Sequence, residues 1–263
     1  KLLDSRSASY LFSFFPTEKS CGLIFGELLT SQIFATQISV NSKKSLETEL
    51  CRFFPDEVIL PTSKDANEFQ RFFKTLGYFT SFESFNSSDK QEFSDFEKWV
   101  LQQFSKDIQN QIFKNKSIQG SLAIFFAYLK KTQSAALSLF KKIHFYEPED
   151  FLIVDSSTQK NLELIENCYD GGRKNTLLSI MDKACTSMGS RTIKKWILMP
   201  LVEKDQIEQR FDVVNILSSD VSFLSKLHDI LSKIGDLERI VGRIALDRAL
   251  LYDYINLATS LKV

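Results

Sequence analysis

The sequence predicts an α+β fold, in which a mixed β-sheet flanked by helices is followed by an all-α region. Three observations support this prediction. Runs rich in Phe, Ile, Leu and Val alternate with helical patterns in the first third, and only helical patterns follow. The length of 263 residues suits two domains. Apolar residues make up 43% of the chain, which is enough for a core in each domain.

The first three strands are predicted from apolar runs at residues 9–15, 22–29 and 32–40. Turn residues separate them, first over 16–20 and then at the tight Thr30-Ser31 junction. Such short connections favour an antiparallel meander.

Helices and strands then alternate. Leu46, Leu50, Phe53 and Phe54 recur at the spacing of one helical face, and this helix is expected to end before Pro55. The next predicted elements are a strand at 57–60, a helix over 69–76 and a strand at 78–82. This β-β-β-α-β-α-β order predicts a mixed sheet flanked by helices.

From residue 93 onward the patterns are helical. Phe93, Phe96, Val100 and Phe104 share one helical face, and residues 122–129 are apolar all round, which predicts a helix buried on most sides. Further helices are predicted near 158–167, 176–183, 187–199, 203–217 and 221–234, and from residue 236 onward.

The segment 143–154, which carries Pro148, is predicted to link the two domains. It divides the chain into a sheet domain over 1–142 and a helical domain over 155–263.

We expect the chain to be a piece of a longer protein. Asp4 follows the start too closely for a natural leader, and the last predicted helix stops without a cap.

Charge and cysteine usage argue against several classes of function. Basic and acidic residues number 33 each, whereas a domain that binds DNA alone through phosphate neutralisation usually shows a basic excess. The four cysteines are far apart, which predicts reduced thiols of a cytoplasmic protein. No apolar run reaches the roughly 18–20 residues of a membrane span, so no membrane partner is expected.

No catalytic, metal or cofactor site is predicted. The sequence has no G-x-x-x-x-G-K-[ST] loop, and Gly171-Gly172 is interpreted as a turn because no strand precedes it at the right spacing. His144 and His228 are isolated from each other and from any cysteine cluster. This isolation argues against a zinc site or a Ser-His-Asp triad.

A divergent metal-dependent nuclease is the alternative from another functional class, because ribonuclease-H-like nucleases share the predicted strand order. Two-metal catalysis needs clustered carboxylates. The first predicted strand contains no acid, and Glu27 in the second has no acidic companion that the sequence places beside it. A helical scaffold without a role on DNA is a further alternative.

Three arginines are candidate contacts for DNA phosphates. Arg239, Arg243 and Arg248 are predicted on one helix that begins at Asp236, whose carboxylate suits an N-cap. The simpler interpretation is ion pairing with Asp236 and Glu238. Another set of cations, at 191, 194 and 195, is interpreted as a solvated helix face.

Lys98 and Trp99 are candidate contacts for a protein partner. Trp99 and Leu101 lie off the apolar face of their helix, so one of them is expected to be partly exposed. An exposed aromatic beside a lysine suits a partner, since aromatics concentrate at interface hot spots. The simpler interpretation is that Trp99 widens the buried face.

The strings of residues in the second half resemble the opening of the core domain of the MutS family. The family's N-T-L-x-x-x-(L/M)-D, T-x-M-G-S-R, K-x-W and P-L motifs correspond to residues 175–182, 186–191, 194–196 and 200–201. Residues 155–164 are similar to D-x-x-T-x-(R/K)-N-L-E-L, and residues 236–239 match D-L-E-R. Residues 128–133 resemble the end of the family's connector domain.

The resemblance implies a ribonuclease-H-like connector domain without nuclease activity, followed by the first part of a helical core, or lever, domain. It implies that this piece is not an enzyme and holds no cofactor. The bacterial parent would read mismatches before residue 1, and would clamp DNA and bind ATP and magnesium after residue 263. Phe25-Gly26-Glu27 fits the mismatch-reading letters F-x-E, but it lies in a connector strand and the role is not transferred.

The resemblance also implies partners and a location. They are mismatched DNA, a MutL-type repair protein and a second copy of the parent in a homodimer. The implied location is the bacterial cytoplasm, at the nucleoid during repair.

Overall fold

A computed structural model describes residue 6 and residues 8–63, 66–86 and 89–263. The chain divides into two compact units. The sheet unit is Ser9–Glu147, and the helical unit is Pro148–Val263 together with the described residues at positions 6 and 8. Among the described residues, no helix has both the length and the apolar character needed to cross a membrane.

The described part of the sheet unit forms a six-stranded mixed sheet in the order β5-β4-β1-β2-β3-β6. The first three strands form the predicted antiparallel meander, β4 runs parallel to β1, β5 parallel to β4, and β6 parallel to β3. The strands are β1 (Tyr10–Pro16), β2 (Ser20–Glu27), β3 (Gln32–Ser39), β4 (Glu57–Pro61), β5 (Phe79–Glu83) and β6 (Ile143–Phe145). The mixed sheet predicted from the sequence is confirmed.

Five helices accompany the sheet in the described residues. They are α1 (Lys43–Phe53), α2 (Ala66–Thr75), α3 (Lys90–Gln103), α4 (Lys106–Lys114) and α5 (Lys116–Thr132). Phe54 adopts a left-handed backbone with φ 50° and ends α1 before Pro55, as predicted. The sequence did not predict α4 as a separate helix.

Helix α5 packs directly on β1 and β2. A Cβ atom on Gly22 would overlap the backbone carbonyl of Ser117, so only glycine allows this approach. The hydroxyl groups of Ser13 and Ser121 lie 2.8 Å apart between strand and helix. The helix that was predicted to be buried on most sides is therefore the one that covers the centre of the sheet.

Stacked phenylalanines fill the other side of the core. The ring of Phe25 lies between Phe12 and Phe53, with centroid distances of 4.6 Å and 4.1 Å. Phe73 from α2 meets Phe12 edge-on at 5.9 Å. These contacts connect β1, β2, α1 and α2, and they explain part of the high phenylalanine content as core filling.

The predicted linker over 143–154 is wrong in its first part. Residues 143–145 form β6, which pairs with β3. The Tyr146 amide donates to the Ala35 carbonyl at 3.2 Å, and the Tyr146 hydroxyl donates to Glu49 at 2.6 Å. Glu49 in turn pairs with Arg52. The sheet unit therefore extends to Glu147, because backbone pairing and a buried polar cluster hold this short segment.

The helical unit confirms the predicted all-α region. Its helices are α6 (Ser156–Asn161), α7 (Leu177–Met181), α8 (Ser187–Leu198), α9 (Lys204–Ser219), α10 (Val221–Leu231), α11 (Leu237–Ala245) and α12 (Leu251–Ser260). The single helix predicted from residue 236 onward is two, because the chain turns at Asp247, where φ is 54°. The predicted helix over 158–167 ends at Asn161, ahead of Glu163 with φ 47°.

Helices α9 and α10 pack on each other but bury none of their described side chains. Within the predicted apolar stripe of α9, Phe211 and Val214 are exposed. Ile207 and Leu217, the other two residues of the stripe, are half-buried, so the described residues cover the stripe only in part.

Candidate functional site

The helical unit contains a series of charged contacts that begins with Arg191 in the second turn of α8. Its guanidinium donates to both carboxylate oxygens of Asp236, from Nη1 at 2.6 Å and from Nη2 at 2.9 Å. Nη2 also reaches Glu238 at 2.7 Å. The Arg191 side chain is only 9% exposed. The prediction of a solvated face is therefore wrong for Arg191, which joins α8 to α11.

Asp236 also positions the start of α11. Its side chain accepts a hydrogen bond from the Arg239 amide at 3.4 Å, which confirms the predicted N-cap. Burial alone would raise the pKa of Asp236, but hydrogen bonds and charge attraction from Arg191 outweigh it, and the pKa lies below its ordinary value. One carboxylate thus caps a helix and binds a neighbouring helix in its ionised form.

Asp182 plays a similar part between α7 and α8. Its carboxylate pairs with Arg173 and accepts hydrogen bonds from the Ser190 hydroxyl at 3.0 Å and the Ala184 amide at 3.2 Å. Burial alone would raise the pKa of Asp182. The hydrogen bonds from Ser190 and Arg173 outweigh burial, so the pKa lies below its ordinary value. Because Ser190 precedes Arg191, the contacts of Asp182 and Asp236 meet on adjacent residues of α8.

A third carboxylate joins α11 to α12. Arg243 donates to Asp253 from Nη2 at 2.5 Å and from Nε at 3.1 Å. Asp253 also accepts from the Leu250 amide at 2.9 Å, ahead of α12. The hydrogen bonds from Arg243 and the Leu250 amide hold the pKa of Asp253 below its ordinary value. Charged contacts therefore run from the segment before α7 through α8 and α11 to α12.

The structure does not present the three candidate arginines as one cationic row. Arg239 is buried and lies 3.9 Å from Asp236, and Arg243 is bound to Asp253. Arg248 is exposed, but it follows the end of α11 at Ala245. The ion-pair interpretation is thus correct for Arg239, whereas Arg243 pairs with Asp253 on the next helix and not with Asp236 or Glu238 as predicted. A phosphate contact of Arg248 stays a prediction.

Trp99 does not form part of an exposed surface. The residue is 6% exposed, its indole Nε1 donates to the Leu137 carbonyl at 2.8 Å, and its ring packs against Phe104 at 5.3 Å. The prediction of a partner contact through Trp99 is therefore wrong. Leu101 is 51% exposed and Lys98 is exposed, so these two neighbours offer the accessible surface of α3.

The positions considered for catalysis have structural contacts. Glu27 is buried at the end of β2, opposite Tyr10 on β1, and accepts from the Thr30 hydroxyl at 2.8 Å. His144 stacks on Phe34 at 5.2 Å. In the part of the chain that the structure describes, no group of three or more His, Cys, Asp or Glu residues is placed to hold a metal ion.

Along the chain, a mixed-sheet unit is followed by a helical unit whose helices are joined by ion pairs. Comparison with family models gives the class of protein. Residues 9–141 match the family model of MutS domain II, and residues 157–263 match that of MutS domain III. The chain belongs to the MutS family, as the sequence motifs predict.

Relatives named DNA mismatch repair protein MutS cover 99% of this chain. Those of Ruminiclostridium cellulolyticum, Clostridioides difficile and Caldanaerobacter subterraneus subsp. tengcongensis are 32%, 31% and 28% identical to it. The alignments cover 30%, 27% and 30% of the relatives' lengths. The chain therefore spans less than a third of the relatives that it matches.

Proposed function

We propose that this chain is the connector and the first part of the core of a DNA mismatch repair protein, and that it couples DNA binding to ATP hydrolysis elsewhere in its parent. The observation that carries the proposal is the bidentate contact of Arg191 with Asp236, which ties the start of α11 to α8. Coupling requires an element whose arrangement both sites bias. Packed helices suit this task because they switch between discrete arrangements.

The proposal extends to the whole parent protein. As a homodimer, the parent binds mismatched DNA and hydrolyses ATP with magnesium, and it works in the bacterial cytoplasm, at the nucleoid during repair. The names of the relatives support the part of this proposal that concerns DNA mismatch repair. The zero net charge of the chain fits a division of labour in which other segments of the parent neutralise DNA phosphates.

The test is made in the full-length parent with Arg191→Ala and Arg191→Lys. Coupling free energies typically correspond to about 5–150-fold effects. We expect ATP-driven release of mismatched DNA to slow by at least about tenfold in Arg191→Ala, and less in Arg191→Lys, while ATP hydrolysis without DNA is retained. Thr192→Ala, an exposed neighbour on α8, is the matched control. Normal release by a folded Arg191→Ala protein would refute the coupling role.

We further propose that Lys98 and Leu101 on α3 contact a MutL-type repair protein. The exposed half of Leu101 supports this proposal, since an apolar side chain beside a lysine suits a protein interface. Leu101→Ser combined with Lys98→Glu is expected to weaken recruitment of MutL to the parent on mismatched DNA. Lys106→Glu on α4 serves as the charge-matched control. Unchanged recruitment would exclude this surface.

The nuclease alternative has less support. Glu27, the acid of the second strand, accepts a hydrogen bond from Thr30, and Ser13 of β1 bonds to Ser121 on α5. Calorimetric titration with magnesium or manganese separates the two functions. If the chain has the coupling role, we expect it to bind neither ion specifically. Stoichiometric binding of either ion together with nuclease turnover would favour the enzyme.

A further inference from the structure

The outer edge of β5 carries no further strand among the residues that the structure describes. This strand pairs in parallel with β4 from Phe79 opposite Glu57 to Glu83 opposite Pro61. No described strand pairs with its other side, and β5 lies at the edge of the sheet opposite β6. An edge strand presents unpaired backbone N–H and C=O groups, which form a template for another extended chain.

The β5 edge has only one of the features that usually prevent such pairing, an inward-pointing charge at its last residue. Natural edges are blunted by lysine, proline, bulges or inward-pointing charges. The sequence of β5 is Phe-Thr-Ser-Phe-Glu, and its one charged residue, Glu83, is buried against Lys131. Phe79 and Phe82 are 68% and 42% exposed. Exposed aromatic residues on an unpaired edge strand favour pairing with another chain.

The two phenylalanines lie on opposite faces of the sheet. Ser81 bonds to Glu57, which also binds Tyr128 of α5, so odd-numbered residues of β5 face α5. Phe79 shares that face. On the other face, Gln70 of α2 donates to the Thr80 hydroxyl at 3.4 Å, and Phe82 alternates with Thr80. An added strand would therefore find one aromatic ring on each side of the sheet.

Lysines flank both faces of this edge. Lys74 is exposed and lies one helical turn after Gln70, on the side of α2 that approaches Thr80. On the α5 face, Lys131 is 62% exposed, but its ammonium pairs with the buried Glu83 and is offset by it. The edge therefore combines backbone pairing groups, two aromatic side chains and the positive charge of Lys74.

We propose that β5 is a docking strand for an extended peptide segment of a partner protein, with apolar residues in its centre and a flanking acidic residue that meets Lys74. The segment adds to β5 as a further strand. Backbone hydrogen bonds supply affinity, and the aromatic rings and Lys74 select the side chains. This surface is separate from Lys98 and Leu101, and its role is independent of the coupling proposal.

The probe is a short synthetic peptide in which valine and threonine alternate between terminal glutamates. We expect saturating peptide to slow amide hydrogen exchange in β5 at least about tenfold, equivalent to about 1.4 kcal/mol. The same peptide with alternate amides N-methylated keeps its side chains but loses backbone donors, so it should not bind. Equal binding of both peptides, or no protection of β5, would overturn the proposal.

A variant separates this site from others on the chain. Phe79→Ser with Phe82→Ser should reduce peptide affinity at least about tenfold without unfolding the protein, because both side chains are exposed. Phe211→Ser, at a similarly exposed phenylalanine on α9, should leave affinity unchanged. Circular dichroism and thermal melting verify the fold. Self-association of the chain that the double variant abolishes would overturn the proposal in favour of a second copy as the occupant.

Discussion

Arg191 and Asp236 are joined through both guanidinium Nη atoms and both carboxylate oxygens, although 44 residues separate them in the sequence. A bidentate pair fixes orientation as well as distance, because the planar guanidinium matches the carboxylate plane. Since Asp236 is also the N-cap of α11, the direction of that helix depends on α8. The contact therefore fixes the orientation of α11 relative to α8.

Removal of Arg191 is expected to destabilise the helical unit strongly. Arg191→Ala leaves the largely buried Asp236 carboxylate without its bidentate partner, and breaking such a pair costs about 3–5 kcal/mol. Arg191→Lys should lose less, since lysine keeps the charge but cannot make the bidentate contact. Urea unfolding followed by circular dichroism measures both. A loss below about 1 kcal/mol in Arg191→Ala would contradict a central role for the pair.

Acid is expected to weaken the helical unit through its carboxylates. The pKa of Asp236 lies below its ordinary value because the effect of burial, which raises it, is outweighed by hydrogen bonds from Arg191. Its stabilisation is therefore fully present above the unfolded pKa of about 3.9 and is lost as pH falls through the lower folded pKa. Asp182 and Asp253 act in the same direction.

The free energy of unfolding should consequently fall as pH drops below about 4. Asp236→Asn removes the ionisable group. The difference in the free energy of unfolding between this variant and the natural chain should therefore shrink as the pH falls below about 4. Urea titrations at a series of pH values measure it. A difference that stays constant down to pH 2 would show that ionisation of Asp236 does not contribute.

The order of elements could be predicted from the sequence because each long element carries its own periodicity. The meander and α5 are such cases, and their apolar patterns place them in the core. β6 has only three residues, too few to show alternation, and its pairing with β3 is long-range. The left-handed turn at Asp247, which separates α11 from α12, has no proline or glycine to mark it.

The candidate site was less predictable because its contacts depend on tertiary structure. Asp236 as an N-cap is a local signal and was predicted. The partner of Arg243 is Asp253 on the next helix, and no helical spacing points to it. Trp99 lies off the predicted apolar stripe in the sequence, but it is buried, and its indole donates to the Leu137 carbonyl, which lies 38 residues away.

The hydrogen bond of Trp99 is expected to contribute to stability. Trp99→Phe keeps an aromatic ring in the core but leaves the Leu137 carbonyl without its indole donor, which should cost about 1–3 kcal/mol. Trp99→Ala adds a cavity and should cost about 3–5 kcal/mol. Leu101→Ser, at an exposed position, should change stability by about 0.5 kcal/mol or less. Equal stability of Trp99→Phe and the natural chain would show that the bond contributes nothing.

The contact between β2 and α5 should not tolerate even one added methyl group. A Cβ on Gly22 would overlap the backbone carbonyl of Ser117, which cannot turn away as a flexible side chain can. Gly22→Ala must therefore move α5 away from the sheet. We expect the free energy of unfolding, measured with urea, to fall by about 1–3 kcal/mol. Gly235→Ala is the control, because its Cβ would meet the Ser260 hydroxyl at an ordinary 3.4 Å. If Gly22→Ala is as stable as Gly235→Ala, the close approach of α5 does not limit the packing of the sheet unit.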